Sequence, residues 1–135
     1  MTGTIEWLLI YTKAQCEAWC EANLRNQGFE VLGPRVRTAK GIEALFARYL
    51  FVGYRQGCDT RVLENTRGVK RVVTFDGRPA RVPQEVVDEV RSRIGADGLV
   101  ALESMPASTL YDRRQRARQH ALVKLAAAGF RVRAA

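Results

Sequence analysis

Side chains able to do covalent or metal chemistry are few and scattered in this chain. His120 is the single histidine, and the three cysteines, Cys16, Cys20 and Cys58, form no CxxC pair. Neither a zinc site nor a disulfide framework is supported, and no metal or cofactor is expected. Catalysis needs a nucleophile or base with an orienting partner in reach, and no such constellation can be assembled. Nucleophile-elbow, P-loop and GxGxxG patterns are missing. Glu85, Asp88 and Glu89 fall near a helix start, where they complement the dipole. Cys16 and Cys20 stand one helical turn apart and read, with Leu24, as inert core thiols. His120 lies in an arginine-rich tail and reads as a solvated or nucleic-acid-facing residue. The chain is expected to bind rather than catalyse, with no small-molecule substrate.

The binding chemistry concentrates in residues 44–55, ALFARYLFVGYR. Strand alternation places Leu50 and Val52 on one face and Tyr49 and Phe51 on the other. Both faces are apolar, so something must cover the second, either a helix of the chain or another molecule. The net charge of +8 adds a nucleic-acid reading, but its distribution is uneven. Residues 108–135 hold seven basic residues against one acidic, whereas residues 1–107 hold fifteen against thirteen.

The elements that must position these residues follow from periodicity and turn signals. WLLIY (7–11) reads as a strand, with Thr12 placed to cap a helix from about Lys13 to Asn26 that stops at Gly28. FEVLGPRVRT resumes β character with Pro34 as an edge or break, and the turn AKG (39–41) leads to the return strand IEALFARYLFVGY. A short helix over 59–66, a strand VKRVVTF, a tight Asp76-Gly77 turn and a helix from Pro83 to Gly95 complete the body. The fold class is α+β, an antiparallel four-stranded sheet with helices packed on one face, plus a C-terminal helix. Residues 1–95 form the domain, 96–107 a linker, and 108–135 a basic C-terminal helix and tail, with Ser108 as N-cap and Gly129 as the stop. No stretch reaches the length of a membrane span and the N-terminus lacks a leader, so a cytoplasmic protein without a membrane partner is expected.

Two resemblances bear on the aromatic strand. YLFVGY matches part of the RNA-recognition-motif signature, with Tyr49, Phe51, Val52 and Tyr54 in register, Arg48 in place of its glycine and Leu50 in place of its small residue. This implies a stand-alone RNA- or DNA-binding module with an RRM-like sheet. The second covers residues 7 to about 94. WLLIYTKAQCEAWCEANLRNQGFEVLGPRVR, then ALFARYLFVGY, then NTRGVKRVVTFDGRPARVPQEVVDEV resemble, in order and spacing, the N-terminal domain of the NusG family, and in particular its specialised RfaH-like paralogues.

The NusG resemblance implies a transcription elongation or antitermination factor that binds the β′ clamp helices of RNA polymerase and promotes processive elongation. It places the polymerase-binding residues at Phe46, Tyr49, Phe51 and Phe75, on an apolar face left uncovered for a partner helix. A second contact, to the β subunit, falls on Asp59, Thr60 and Arg61. Non-template DNA falls to Lys13 and Arg67, with Lys70 and Arg71 added from charge. Cys16, Trp19 and Asn23 depart from the polar or basic groups of DNA-reading paralogues. The Gly-Asp and Gly-Pro-Phe hallmarks of the family's KOW barrel are absent after residue 95.

On a helix from Ser108, Leu110, Ala117, Ala121, Leu125 and Ala128 draw an apolar stripe, and Arg113, Arg116, His120 and Lys124 a basic one. In RfaH-like proteins a helical C-terminal region masks the polymerase site. The resemblance therefore implies that the apolar stripe lies over Phe46, Tyr49 and Phe51; the alternative is a permanent structural helix packed elsewhere.

Overall fold

The stretch IEWLLIYT, Ile5–Thr12, is apolar on both pleat faces and takes the centre of the main sheet as β1. The computed structural model describes residues 5–55, 59–101 and 114–134, with side chains as far as Lys124. On one side β1 pairs antiparallel with β5 (Tyr49–Arg55), in a register that sets Leu8 opposite Val52 and Tyr11 opposite Tyr49. On its other side lie β6 (Val69–Val72) and β9 (Arg81–Val82), and β2 (Glu30–Leu32) extends the sheet beyond β5. The path β2-β5-β1-β6 is the expected four-stranded antiparallel sheet, with β9 as an addition.

Helices cover both faces, where a one-sided layer was expected. α1 (Glu17–Asn26) and α2 (Arg61–Glu64) bring Cys20, Leu24 and Leu63 onto Leu8, Ile10, Leu50 and Val52. α3 (Gln84–Ser92) and α4 (Gln115–Ala134) bring Val87, Val90 and Leu122 into a second cluster with Trp7, Leu9, Phe46 and Phe51. The cause is in the strands. β1 and β5 carry large apolar side chains in both pleat directions, so each face needs its own cover.

Local boundaries differ where backbone partners compete. α1 begins at Glu17 rather than Lys13, because Gln15 takes a left-handed φ of 57° and the Thr12 N–H is bonded to the Arg48 carbonyl at 2.8 Å. The helix ends, as expected, at Gly28 with φ 91°. The return strand is split. β3 (Arg35–Thr38) and β4 (Gly41–Ala44) form the hairpin about Ala39 and Lys40, then Leu45–Arg48 leaves the ladder and β5 joins the main sheet. Leu45 donates its N–H to the Pro34 carbonyl at 2.8 Å, and Arg48 adopts φ 70°.

Asp76 and Gly77, with φ 52° and 74°, make the tight turn between β7 (Thr74–Phe75) and β8 (Arg78–Pro79). The segment expected as a linker, 96–107, carries a strand instead. β10 (Leu99–Val100) lies parallel to β3 and buries Val100, since Gly98 at φ 80° turns the chain back. Residues 102–107 and the expected cap Ser108 lie outside the described residues. α4 passes through Gly129 without stopping.

Candidate functional site

Tyr11 and Tyr49 are register partners on neighbouring strands, and their rings meet at 5.2 Å with a 53° tilt. Two guanidiniums lie on the Tyr11 ring, Arg48 at 4.3 Å and Arg71 at 4.9 Å from its centre, which is cation–π distance. Arg48 is locked in its left-handed conformation by three further contacts. Its N–H donates to Glu17 Oε2 at 3.1 Å, its Nε to the Thr12 carbonyl at 3.1 Å, and its carbonyl accepts from Thr12. Burial, and after it the neighbouring Tyr11, pushes the Tyr49 phenol above its ordinary value, against the pull of Arg71 and Arg48.

Beside this pair, Phe46 and Phe51 meet edge to face at 5.9 Å, and Phe75 packs partly buried against the same cluster. The structure thus gathers Phe46, Tyr49, Phe51 and Phe75. It does not leave them uncovered: Phe46 and Phe51 are each 1% exposed, and only Tyr49 and Phe75 keep part of their surface in solvent. The cover is internal, from α3 and from α4, which lies against β9.

α4 docks by a face the stripe reading does not select. Gln115 Nε2 donates to the Ala44 carbonyl at 3.4 Å, Gln119 Nε2 to the Ala47 carbonyl at 2.7 Å, and Arg118 Nε to the Leu45 carbonyl. Arg118 and Leu122 are fully buried, whereas Ala117 and Ala121 are only partly so. Leu110 lies outside the described residues, as do the side chains of Leu125 and Ala128. The physical reason is the broken strand. Its carbonyls at 44, 45 and 47 demand donors, and glutamine and arginine supply them where alanine cannot.

The cationic candidates divide. Lys13 and Arg67 come together, because the Lys13 N–H donates to the Gly68 carbonyl at 2.8 Å and Asn23 Nδ2 to the Arg67 carbonyl at 3.1 Å. Both side chains are exposed, and Trp19, 51% exposed, stands one turn before Asn23 on α1. Lys70 is exposed on β6, while Arg71 belongs with Tyr11 and the aromatic face. Thr60 and Arg61 lie at the start of α2, on the opposite side of the sheet from the aromatic cluster. Arg61 pairs locally with Asp59 at 2.7 Å, and this hydrogen-bonded guanidinium holds the Asp59 carboxyl below its ordinary range.

Tyr11, Arg48 and the donors of α4 were not selected from sequence. Tyr11 was within reach, since any register that pairs the two apolar strands brings a second tyrosine beside Tyr49. The role of Arg48 rests on its positive φ, which no spacing announces. Among the described residues no cluster of His, Cys, Asp and Glu could hold a metal ion, and no helix is long and apolar enough to cross a membrane.

A family model described as "Transcription termination factor nusG" matches residues 5–91. Among solved structures, one described as "Domain interaction in Thermotoga maritima NusG" aligns at 20% identity with a TM-score of 0.44, covering 61% of this chain and 52% of that chain. The chain thus spans about half the length of that relative. No curated protein matches it. With the family model spanning well over half of its residues, the chain belongs to the NusG family, a family of non-enzymatic transcription factors.

Proposed function

We propose that this protein is an elongation or antitermination factor that docks on the β′ clamp helices of RNA polymerase through the face built from Phe46, Tyr49, Phe51 and Phe75, and that α4 masks this face until docking. One observation carries the reading: α4 covers a gathered aromatic cluster with Leu122 and sets three polar side chains, Gln115, Arg118 and Gln119, on backbone carbonyls beside it. Such bonds exchange readily with water when the helix leaves, because each carbonyl and each donor is solvated in turn. A partner helix arriving at the same place would meet aromatic rings, which supply large buried area at low entropic cost.

Thr60 and Arg61 form a second contact, with the β subunit, on the far side of the sheet. Lys13 and Arg67, with Lys70, meet the non-template DNA strand. Arg71 serves the aromatic face instead, as a cation at its rim. In its resting form the factor is a cytoplasmic protein with its polymerase site closed.

A pull-down with purified RNA polymerase tests the reading. The chain should be retained by polymerase with intact clamp helices and lost when they are deleted. Removing residues 108–135 should increase retention. Equal retention with and without the clamp helices would reject the docking site, and retention unchanged by tail removal would reject masking.

A further inference from the structure

The seam between the sheet and α4 holds an open cleft of about 730 Å³, within the size range of small-ligand sites. Tyr11 and Tyr49 form one wall, and Arg116, His120 and Val123 stand on the other. The chemistry of the two walls is complementary. The sheet wall offers a tyrosine pair with Arg48 and Arg71 held on the Tyr11 ring, so aromatic surface and positive charge arrive together. The helix wall offers a cation and an imidazole one turn apart, with apolar Val123 beside them. Neither Arg116 nor His120 is engaged in an ion pair among the described residues, and no carboxylate lines the cleft among them.

A ligand that uses all of this must carry a flat ring and an anion within one small body. A run of aspartate and glutamate lacks the ring, and inorganic phosphate leaves the tyrosines unused. The geometry points to a nucleotide site, with a base lying against Tyr49 and Val123 and a phosphate held by Arg116 and His120 in the field of Arg71. Base–aromatic stacking and guanidinium–phosphate bonding are the two terms that recur in recognition of unpaired nucleotides. The nucleotide is either a free nucleoside phosphate or one residue of a single strand. Its two walls belong to the domain body and to the tail helix, so an occupant binds the docked form better than the released one and holds α4 in place. The ligand site does not depend on polymerase docking, since neither its ligand nor its test involves polymerase, but its hold on α4 rests on the release of α4 proposed above, and it shares Tyr49 with that face.

The test is a calorimetric titration of the full chain with ATP and, separately, with a short oligouridylate, with adenosine and inorganic phosphate as the separated halves. At least one of the two nucleotide probes should bind, and each half should bind at least about tenfold more weakly, as expected when a charge-assisted bond or a stack is missing. Arg116→Glu and His120→Glu change exposed side chains and should leave melting unchanged while weakening the bound probe at least about tenfold. Lys40→Glu, at the β3–β4 turn, should not. Saturating probe should slow proteolysis of the tail. Binding of ATP identifies a free nucleotide, and binding of the oligonucleotide alone identifies a strand. The site is overturned if neither probe binds at millimolar concentration, if Arg116→Glu and Lys40→Glu weaken binding equally, or if bound probe leaves the tail as cleavable as before.

Discussion

Arg118 is fully buried on α4, and it spends its guanidinium on the segment where the aromatic strand breaks: Nε donates to the Leu45 carbonyl and Nη2 lies 3.3 Å from Glu43 Oε1. The guanidinium charge thus meets a carboxylate that itself remains 30% exposed. A helix that docked by apolar contact alone would place leucine here. Arginine answers a carbonyl that the sheet has released, and it ties the tail to one register. Arg118→Ala leaves the Leu45 carbonyl without its donor in a dry position, which should cost about 1 to 3 kcal/mol of docking. Glu43→Gln keeps a hydrogen-bonding side chain and should cost less. Limited proteolysis of the tail reports both, with faster cleavage in Arg118→Ala than in Glu43→Gln. A tail as protected in Arg118→Ala as in the parent would show that the clasp does not hold it.

The second prediction separates Tyr49 from its strand neighbours. Leu50 and Phe51 are 2% and 1% exposed and belong to opposite cores, so Leu50→Ala should cost about 2 to 5 kcal/mol and Phe51→Ala about 3 to 5 kcal/mol of folding stability. Tyr49 is only partly buried and lines the cleft beside α4. Tyr49→Ala should cost the fold much less and polymerase binding about 1 to 2 kcal/mol or more, as an interface aromatic does. Denaturant unfolding and polymerase retention, measured on all three, decide the matter. Parallel losses at 49, 50 and 51 with unchanged retention would return Tyr49 to the core.

What sequence made legible was whatever rests on periodicity or on a backbone that only certain residues adopt. β1, the helix after Pro83, Gly28 after α1 and the Asp76-Gly77 turn all fall where pattern and turn chemistry put them. The two-sided sheet was announced by both apolar faces of residues 49–52, but alternation cannot say whether the chain itself or a partner supplies the second cover. The docking face of α4 was misread for a related reason. A stripe of alanines marks a surface free of bulk, while the observed contact buries Leu122 and sets donors on the carbonyl of Ala44 at the end of β4 and on those of Leu45 and Ala47 in the break at Leu45–Arg48. That break in turn hangs on Arg48 in a conformation usual for glycine, the residue that the RNA-recognition signature carries at this position. Strand partners decide such details, and they are distant in sequence.

Alkaline pH supplies a third prediction. The Cys20 thiol is buried on the inner face of α1, and burial, followed by Cys16, Glu17 and Glu21, pushes its pKa from 9.0 up to about 11. The folded state holds this proton to higher pH than the unfolded state. The associated stability is thus fully present below pH 9 and is lost as pH rises from 9 through about 11. Tyr49, also raised, contributes with the same sign above its unfolded value. Stability against pH for the parent and for Cys20→Ala should converge over this window, because the variant lacks the titrating thiol. Parallel curves would mean that the thiol does not titrate differently in the two states. The same shift predicts that Cys20 resists alkylation at neutral pH, where its thiolate fraction is minute.

The fourth prediction concerns the pair that the first helix and the TRGV motif bring together. Gly68 sits at φ 96°, and a β-carbon there would lie 2.8 Å from the Cys20 β-carbon, so both conformation and space require glycine. Its carbonyl accepts the Lys13 N–H, which fixes Lys13 beside Arg67. Gly68→Ala should destabilise the domain by at least about 1 to 2 kcal/mol from the left-handed backbone alone, with the clash against α1 added. Lys13→Gln and Arg67→Gln change exposed side chains whose backbone bonds persist, and should alter stability by no more than about 0.5 kcal/mol. If the pair faces the non-template strand, the two glutamine variants should lose crosslinking to DNA in an elongation complex while keeping retention by the clamp helices. They should also flatten the salt dependence of that DNA contact, each removing one phosphate-neutralising charge. Undiminished DNA crosslinking in both variants would leave Lys13 and Arg67 as a solvated edge of α1, and the burden of any DNA contact would pass to Lys70.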